Sequence, residues 1–175
     1  EKTPVIFVSG HFSNFELMAM EIEKSGVNLS AIYRPLNNIF LNILMEKIRK
    51  KYICKNQIKK GTSGVRELLR LYKKGFSIAL MIDQRVSQGI KSKFFNEEAF
   101  TTTIPAQFIK KFNCKVVPIT IERHNGVNFN IKVEKPMEFS KNSSTEKITR
   151  ELNIWLEKII LKNPGEWIWS HDRWK

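Results

Sequence analysis

The residues best suited to chemistry lie between Gly10 and Glu16, in the run Gly-His-Phe-Ser-Asn-Phe-Glu. Histidine is the usual general base near neutral pH, and a carboxylate can orient it and stabilise its charged form. His11 and Glu16 are five positions apart, a spacing that on one helix would turn them about 140° away from each other. The two can therefore pair only if His11 precedes a helix whose first turn contains Glu16, with Ser13 as its N-cap.

Spacing alone leaves two interpretations of this run open. In the first, the Glu16 carboxylate orients the His11 imidazole for proton transfer. In the second, Ser13-x-x-Glu16 is an ordinary capping box, in which Glu16 only accepts a hydrogen bond from the backbone N–H of Ser13. A loop histidine is more often structural than catalytic, so the residues of this run do not decide between the two.

The surrounding sequence predicts alternating strands and helices. The apolar residues 5–8 predict a buried strand, and 13–24 predict a helix that ends at Gly26. Further strands are predicted at 29–33, 52–54, 76–82, 115–122 and 127–134, and further helices at 38–51, 62–74, 105–112 and from the Ser143-Ser144-Thr145-Glu146 capping box to about 162.

This pattern predicts an α/β fold, with a mostly parallel central sheet flanked by helices and with an antiparallel hairpin. The hairpin is predicted where Asn125-Gly126 joins two strand-like runs. We expect one catalytic domain over residues 1–175. Ligand sites in such sheets form at the carboxyl ends of strands, which is where His11 is expected.

The charge of the chain is strongly positive, with 30 Lys and Arg against 17 Asp and Glu, a net charge of +13. Such a surface attracts nucleic acid, anionic lipid or an acidic protein. The basic residues are spread over all predicted elements and no nucleic-acid-binding motif is present, which argues against a nucleic acid partner. The densest cluster consists of the lysines at 47, 50, 51, 55, 59 and 60.

The sequence also allows predictions about membrane-spanning segments, the cysteines and metal sites. No apolar run approaches the roughly 18 residues that span a bilayer. The chain begins at Glu1, so we expect a fragment of a longer protein whose N-terminal, membrane-anchored part lies upstream. Cys54 and Cys114 are expected to be buried thiols, since a metal site needs more ligands. No metal site and no cofactor is predicted.

Six motifs, in order, resemble those of the late acyltransferases of lipid A biosynthesis, the lauroyl and myristoyl transferase family. His11-x-x-x-x-Glu16 matches the H-x-x-x-x-[D/E] motif of glycerolipid and lipid A acyltransferases, and by itself it is weakly specific. The ordered set, which runs from Val5 to the last residue, is strongly specific. The later motifs are Tyr33-Arg34-Pro35, Arg49, Asp83-Gln84, Phe94-Phe95 with Ala99 and Thr101–Thr103, and Trp167-x-Trp169-x-His171-x-Arg173-Trp174-Lys175.

The resemblance implies a glycerolipid-acyltransferase-like fold and a direct transfer mechanism. His11 would be the base that acts on a hydroxyl of a sugar-bound hydroxyacyl chain, and Glu16 would orient it. The family's further essential arginine and aspartate fall on Arg49 and Asp83, and Arg49 would hold the thioester carbonyl or a donor phosphate. From the residues alone, Arg49 could equally be a solvated helix charge, and Asp83 a helix cap or a salt-bridge partner of Arg85.

Other side chains at predicted strand ends are candidates for substrate binding, although Tyr33 is equally compatible with packing. These candidates are Tyr33, Arg34, Gln84 and Arg85.

The chain ends in an aromatic and basic segment, which suits either a membrane interface or packing against the sheet. We predict that Trp167 and Trp169 pack against the sheet as a final strand, with Arg173 and Lys175 at the surface.

The resemblance implies an acyl-carrier protein as donor, a lipid A precursor as acceptor and the anionic inner membrane surface as a further partner. It places the protein at the cytoplasmic face of the inner membrane of a Gram-negative bacterium. Two alternatives stay open: an acyltransferase for another glycolipid or a phospholipid, and a non-catalytic basic module that binds membrane or nucleic acid. The Pro-Glu-Gly motif of phospholipid-type acyltransferases is not found in the sequence.

Overall fold

The computed structural model describes residues 3–174 of the chain. These residues form five α-helices, namely α1 (Glu16–Lys24), α2 (Ile39–Ile48), α3 (Thr62–Lys73), α4 (Ile104–Phe112) and α5 (Thr145–Lys162). A π-helix, Arg49–Ile53, continues α2, and a 3₁₀ turn, Pro164–Glu166, follows α5. The described strands are β1 (Ile6–Ser9), β2 (Leu29–Tyr33), β3 (Asn56–Lys59), β4 (Ser77–Met81), β5 (Ile90–Phe94), β6 (Glu97–Thr101), β7 (Val116–His124) and β8 (Asn128–Val133).

Six of these strands form one sheet in the order β3-β2-β4-β1-β7-β8, and β5 and β6 form a separate antiparallel hairpin. Strand β2 pairs in parallel with both β3 and β4, whereas β7 and β8 are antiparallel. Asn125 and Gly126 both have positive φ, 50° and 72°, as the tight turn predicted there requires. The predicted α/β fold, with its mostly parallel sheet and its antiparallel hairpin, is confirmed.

The chain divides into two compact units. The first contains residues 3–7 and 16–80. Its core includes Leu68 of α3 and Ile78 of β4, neither of which has measurable exposure. Gly64 lies where a Cβ would come within 2.0 Å of the Lys59 carbonyl oxygen, so only glycine lets α3 approach the backbone of β3 this closely.

The second unit contains residues 8–15 and 81–174. Its helices α4 and α5 bury Phe108 and Leu156, and β5 and β7 bury Phe94 and Val116. The apolar faces of these elements account for the core of the unit. A single catalytic domain over residues 1–175 stays a prediction, because the division into two compact units does not test it.

Two parts of the predicted element pattern were wrong. Residues 52–54 form the end of the π-helix and its cap, and β3 begins only at Asn56. The Cys54 N–H donates to the Arg49 carbonyl, so the helix extends through an apolar run whose length alone cannot distinguish helix from strand. The hairpin β5–β6 was missed because its strands are rich in charge and its turn, Phe95-Asn96, lacks glycine although both residues have positive φ.

Helix α5 is present as predicted, but it begins one residue later than the capping box from Ser143 to Glu146 implies. Its N-cap is Ser144, whose hydroxyl accepts a hydrogen bond from the Lys147 N–H. Cys54 and Cys114 are both buried, as predicted. None of the helices formed by residues 3–174 is both long and apolar enough to cross a bilayer.

Candidate active site

The backbone around His11 follows strand β1 and is held by a segment close to the end of the chain. The Ile168 N–H donates to the His11 carbonyl at 3.0 Å, and the Ser13 N–H donates to the Glu166 carbonyl at 2.8 Å. These two bonds fix the two peptide groups that follow the His11 side chain, one on each side of Phe12. The imidazole is thereby placed by backbone pairing and does not depend on a flexible loop.

Asp83 is the carboxylate that contacts His11. It lies just after β4, is 2% exposed, and its Oδ1 is 2.7 Å from His11 Nδ1. Its Oδ2 accepts the His11 backbone N–H at 2.7 Å and the Trp167 indole N–H at 2.9 Å. Burial by itself would raise the pKa of the Asp83 carboxyl, but these bonds and the His11 charge hold that pKa below its usual value. Asp83 is therefore an ionised, buried acceptor for the imidazole.

The other ring nitrogen of His11 faces a side-chain amide. When the imidazole is neutral, its proton is on Nδ1, because the Asp83 carboxylate only accepts, and Nε2 presents a lone pair. The Gln84 amide nitrogen lies 3.3 Å from His11 Nε2 and 2.9 Å from His171 Nε2. The His11 side chain is 13% exposed. This is the tautomer and the accessibility that a general base needs.

Glu16 and Arg49 form a second cluster, together with Tyr33. Arg49 Nε and Nη2 lie 2.7 and 2.6 Å from Glu16 Oε1, and the guanidinium lies 5.8 Å from the centre of the Tyr33 ring. The Tyr33 hydroxyl donates to Glu46 at 2.6 Å. Burial, and then the bond to Glu46, raise the pKa of Tyr33 well above its usual value, so its hydroxyl stays protonated. Arg49 is thus a paired guanidinium and not a freely solvated helix charge.

The predicted site residues accordingly fall into two groups. His11, Asp83 and Gln84 are joined by hydrogen bonds, and so are Glu16 and Arg49, with Tyr33 beside them. The orientation of His11 by Glu16 stays a prediction, since Asp83 is the carboxylate that contacts Nδ1. Arg34 and Arg85 are exposed, and Arg85 lies over the Phe100 ring, not on Asp83.

The interpretation of Ser13-x-x-Glu16 as a capping box is wrong. Ser13 has a left-handed backbone with φ of 44°, and its buried hydroxyl has no hydrogen-bond partner among residues 3–174. An N-cap residue needs an extended backbone that turns its side chain towards the first helical N–H groups. The pairing of Ser13 with Glu166 imposes a different conformation, and α1 begins only at Glu16.

The predicted packing of the C-terminal segment is confirmed for Trp167 and wrong for Trp169, and neither residue lies in a final strand. Trp167 is 3% exposed and forms an antiparallel bridge with Phe12, in addition to its bond to Asp83. Trp169 is 55% exposed, and its indole N–H donates to the Pro164 carbonyl. Packing of Trp167 directs a hydrogen-bond donor at the Asp83 carboxylate, a contact that was not predicted from the sequence.

Arg173 was predicted at the surface and is instead fully buried. Its guanidinium donates to the Phe100 carbonyl at 2.8 Å and to the Thr101 hydroxyl at 2.7 Å, and it lies 5.0 Å from the centre of the Phe94 ring. Burial lowers its pKa to about 10, and the Asp83 charge opposes that shift. A planar guanidinium tolerates burial where carbonyl and hydroxyl acceptors match its geometry. The prediction for Lys175 lies outside the described residues.

In the sequence, His171 is distinguished only as part of the C-terminal motif. The structure places its imidazole 5.6 Å from that of His11, centre to centre, with the Gln84 amide between them. Its place in the Trp167-x-Trp169-x-His171 pattern was the one available signal. Within residues 3–174, no three His, Cys, Asp or Glu side chains are grouped so that they could hold a metal ion.

Gly10 supports the site through its lack of a side chain. A Cβ at this position would lie 2.8 Å from Phe12, 2.9 Å from Leu156 and 3.3 Å from Asp83 Oδ2. Phe12 and Leu156 are buried and cannot move aside, so Gly10→Ala is expected to destabilise the fold by about 1 to 3 kcal/mol. It should also lower activity by displacing Asp83. Denaturant unfolding checks this, with Gly165→Ala as control, because a Cβ there meets no atom within 4 Å. Equal stability of both variants would contradict the packing described.

Comparison with known proteins decides the family. A sequence profile described as bacterial lipid A biosynthesis acyltransferase matches residues 1–175. The chain belongs to this family. It is also 24% identical over 178 residues to a lipid A biosynthesis acyltransferase of Haemophilus influenzae, in an alignment that covers 100% of this chain and 57% of that protein. The chain therefore spans little more than half the length of this relative, and the resemblance found in the ordered motifs is confirmed.

Proposed function

We propose that this member of the lipid A acyltransferase family transfers a fatty acyl chain to a hydroxyl of a lipid A precursor, with His11 as general base. The observation that carries the proposal is the 2.7 Å contact between His11 Nδ1 and Asp83, in a chain whose whole length matches the family. Family membership supports the acyl transfer and the type of acceptor. The contact supports the choice of base, because it leaves the His11 Nε2 lone pair available.

The proposed reaction is a direct transfer. His11 Nε2 removes the proton of the acceptor hydroxyl as the hydroxyl oxygen attacks the carbonyl carbon of a thioester. The C–S bond of the tetrahedral intermediate then breaks, the leaving thiolate takes the proton from His11, and an ester and a thiol result. The ionised Asp83 stabilises the imidazolium in between, and the Gln84 amide is a candidate donor to the oxyanion.

Transfer through a cysteine acyl-enzyme is disfavoured by the state of Cys54. Burial, and then the neighbouring Glu23, raise the pKa of the Cys54 thiol to about 12. The thiolate, which is the nucleophilic form, is therefore scarce at neutral pH. The direct reaction needs no such nucleophile.

Arg49 is proposed to hold the thioester carbonyl or a phosphate of the donor. Two of its guanidinium nitrogens contact Glu16 and fix the plane of the guanidinium. Substrate binding therefore costs less side-chain conformational entropy. The earlier assignment of Glu16 as the acid that orients His11 stays a prediction beside the contact made by Asp83. Substrate binding by Tyr33 and Arg34, and by Gln84 and Arg85, likewise stays a prediction.

The proposed donor is an acyl-carrier protein, and the proposed site of action is the anionic cytoplasmic face of the inner membrane. Both are acidic partners, and the net charge of +13 supports both. No cofactor or metal ion is proposed.

The decisive experiment is an acyl transfer assay in detergent with the intact protein. We expect transfer from the thioester of an acyl-carrier protein to a tetra-acylated, Kdo-bearing lipid A precursor, detected as a mass increase of one acyl group. The same donor is offered with a lysophospholipid or a mannosylated phosphoinositide as alternative acceptors. Transfer to one of these alone would overturn the lipid A assignment, and transfer from acyl-coenzyme A alone would overturn the proposed donor.

A further inference from the structure

Helix α2 is built with its polar side inwards. The Tyr33 hydroxyl donates to Glu46 at 2.6 Å, the Asn42 amide donates to Glu46 at 2.8 Å, and the Leu36 N–H donates to Asn42 at 2.9 Å. Glu46 retains only 19% side-chain exposure. Asn42 and Glu46, four positions apart, thus lie on the inner side, and the Tyr33–Glu46 bond attaches the helix to the rest of its compact unit. No residue of α2 is buried.

The opposite side of α2 is apolar and exposed. With 3.6 residues per turn, the exposed side chains cover an arc of about 200° around the helix. A surface helix normally turns its apolar stripe to the core and its polar side to water, so this arrangement is inverted. Exposed apolar patches of this kind mark binding surfaces. The exposed residues, from 38% to 84%, are Ile39, Phe40, Leu41, Ile43, Leu44 and Ile48.

Positive charge borders this apolar side. Residues 36–60 contain seven Lys and Arg and a single acidic residue, Glu46, whose carboxylate is already hydrogen-bonded. Tyr52 is 57% exposed, with the Lys51 ammonium 4.9 Å from its ring centre. Lys59 is ion-paired with Glu46 at 3.3 Å and is not counted with the others. The remaining lysines, all exposed, are Lys47, Lys50, Lys51, Lys55 and Lys60. We call the six apolar residues and these lysines together the α2 face.

We propose that the α2 face docks on an anionic lipid bilayer. The apolar side chains enter the boundary between headgroups and acyl chains, and the lysines contact headgroup phosphates, as in helices that lie in the plane of a membrane. Long lysine side chains can extend along an apolar surface while their charges stay with the headgroups. This inference locates the surface that meets the membrane proposed above and rests on that part of the proposed function, not on the transfer chemistry.

A bilayer fits the α2 face better than an acidic carrier protein does. A carrier protein would be complementary to the lysines, but it would leave most of a 200° apolar arc in water. Phe40 and Ile39, at the start of the helix, are 84% and 73% exposed. Only a partner that is itself apolar over a wide area, with negative charge at its edge, matches both features.

Vesicle binding by the 175-residue chain tests the proposal. The vesicles contain phosphatidylethanolamine with phosphatidylglycerol, or phosphatidylcholine alone, and binding is measured by co-sedimentation. Phe40→Ser with Leu44→Ser is expected to weaken binding to anionic vesicles on the order of 10- to 100-fold. The matched control, Val127→Ser with Leu161→Ser, removes two apolar side chains that are 85% and 69% exposed elsewhere. It should leave binding unchanged.

A lysine variant tests the charge separately. Replacing Lys47, Lys50 and Lys51 by glutamine is expected to weaken binding at low salt on the order of 100-fold, because each lysine near an anionic surface contributes about five-fold. Binding of the protein itself should weaken as salt rises. The control replaces three exposed lysines of the other unit, Lys132, Lys135 and Lys158, by glutamine. Circular dichroism verifies that all variants are folded.

Each outcome decides the proposal. Weaker binding by both α2-face variants and by neither control supports it. Unchanged vesicle binding by the Phe40→Ser, Leu44→Ser variant overturns it. If that variant also binds acyl-carrier protein normally while the lysine variant does not, the α2 face binds the carrier protein and not the membrane. Failure of the unmodified chain to bind anionic vesicles overturns it as well. Acyl transfer in detergent is measured independently, so failure of the transfer chemistry is distinguished from failure of docking.

Discussion

Replacing His11 by alanine is expected to lower the rate of acyl transfer by about 10²- to 10⁴-fold, the contribution typical of a positioned general base. The acceptor hydroxyl is a weak nucleophile until its proton is removed. His11 Nε2 is the basic atom at this site, because Nδ1 is engaged by Asp83 at 2.7 Å. The loss should appear in kcat measured at saturating donor and acceptor, because the proton is transferred in the transition state.

Removal of the imidazole also leaves the Asp83 carboxylate short of a donor, so a second variant separates catalysis from folding. Asn in place of His11 can direct its amide N–H at Asp83 but cannot accept a proton. We expect His11→Asn to be as inactive as His11→Ala and more stable in thermal unfolding. His124→Ala, at the exposed end of β7, is the matched control. Full transfer by both His11 variants would leave the family assignment intact and overturn the mechanism.

Replacing Asp83 by asparagine is expected to lower kcat by about 10²- to 10⁴-fold although the change is nearly isosteric. The carboxylate accepts from His11 twice and from Trp167 once. An asparagine amide that donates to His11 Nδ1 selects the other tautomer, in which Nε2 is protonated and cannot act as a base. Steady-state kinetics should therefore show a low kcat with a largely unchanged KM.

The Glu138→Gln variant, at an exposed carboxylate, serves as control for the loss of one negative charge. Wild-type activity of Asp83→Asn would exclude Asp83 as the residue that positions His11 and would favour the earlier assignment of this role to Glu16. A loss of kcat in Glu16→Gln, with normal activity of Asp83→Asn, would support the same assignment.

The same carboxylate gives stability a defined pH dependence. The pKa of Asp83 is lower in the folded protein than in the unfolded chain, because the bonds from His11 and Trp167 outweigh the effect of burial. A depressed carboxyl pKa stabilises the fold fully above the unfolded value of about 4, and this stabilisation is lost as the pH falls through the folded value. The difference in unfolding free energy between the protein and Asp83→Asn should therefore shrink as the pH falls below about 4. A constant difference down to pH 2 would contradict an ionised Asp83.

At the His11 site, the sequence predicted the base but not the carboxylate that contacts it. The histidine was identified because its residue type and its place after a strand are local properties. Its partner was not, because spacing suggested Glu16 while the contact comes from Asp83, 72 positions away. Both residues stood among the candidates through the family resemblance, but only folded distances assign the Nδ1 contact to one of them.

Arg173 and helix α2 both depart from the usual rule for burial. Arg173 is a charged residue that is buried, and α2 has an apolar side that is exposed. A charged residue near a chain end was placed at the surface, yet its guanidinium is buried because Phe100 and Thr101 supply acceptors. The periodicity of residues 38–51 predicted a helix, and α2 covers Ile39–Ile48. A surface helix normally turns its apolar side inwards. In the structure the polar side is the inner one, since Tyr33 supplies a donor for Glu46.

The sequence by itself determined the five α-helices, the strands β1, β2, β4, β7 and β8, the α/β class, the hairpin at Asn125-Gly126 and the acyltransferase family. The helices, strands and turn depend on periodicity and turn chemistry, which act between residues near each other in the chain, and the family was identified from the order of motifs along it. Only the tertiary structure decided which carboxylate contacts His11, which cation is buried and which side of α2 meets the solvent. Those outcomes depend on hydrogen-bond partners that are distant in sequence, and the cost of burying a polar group is known only once its partner is in place.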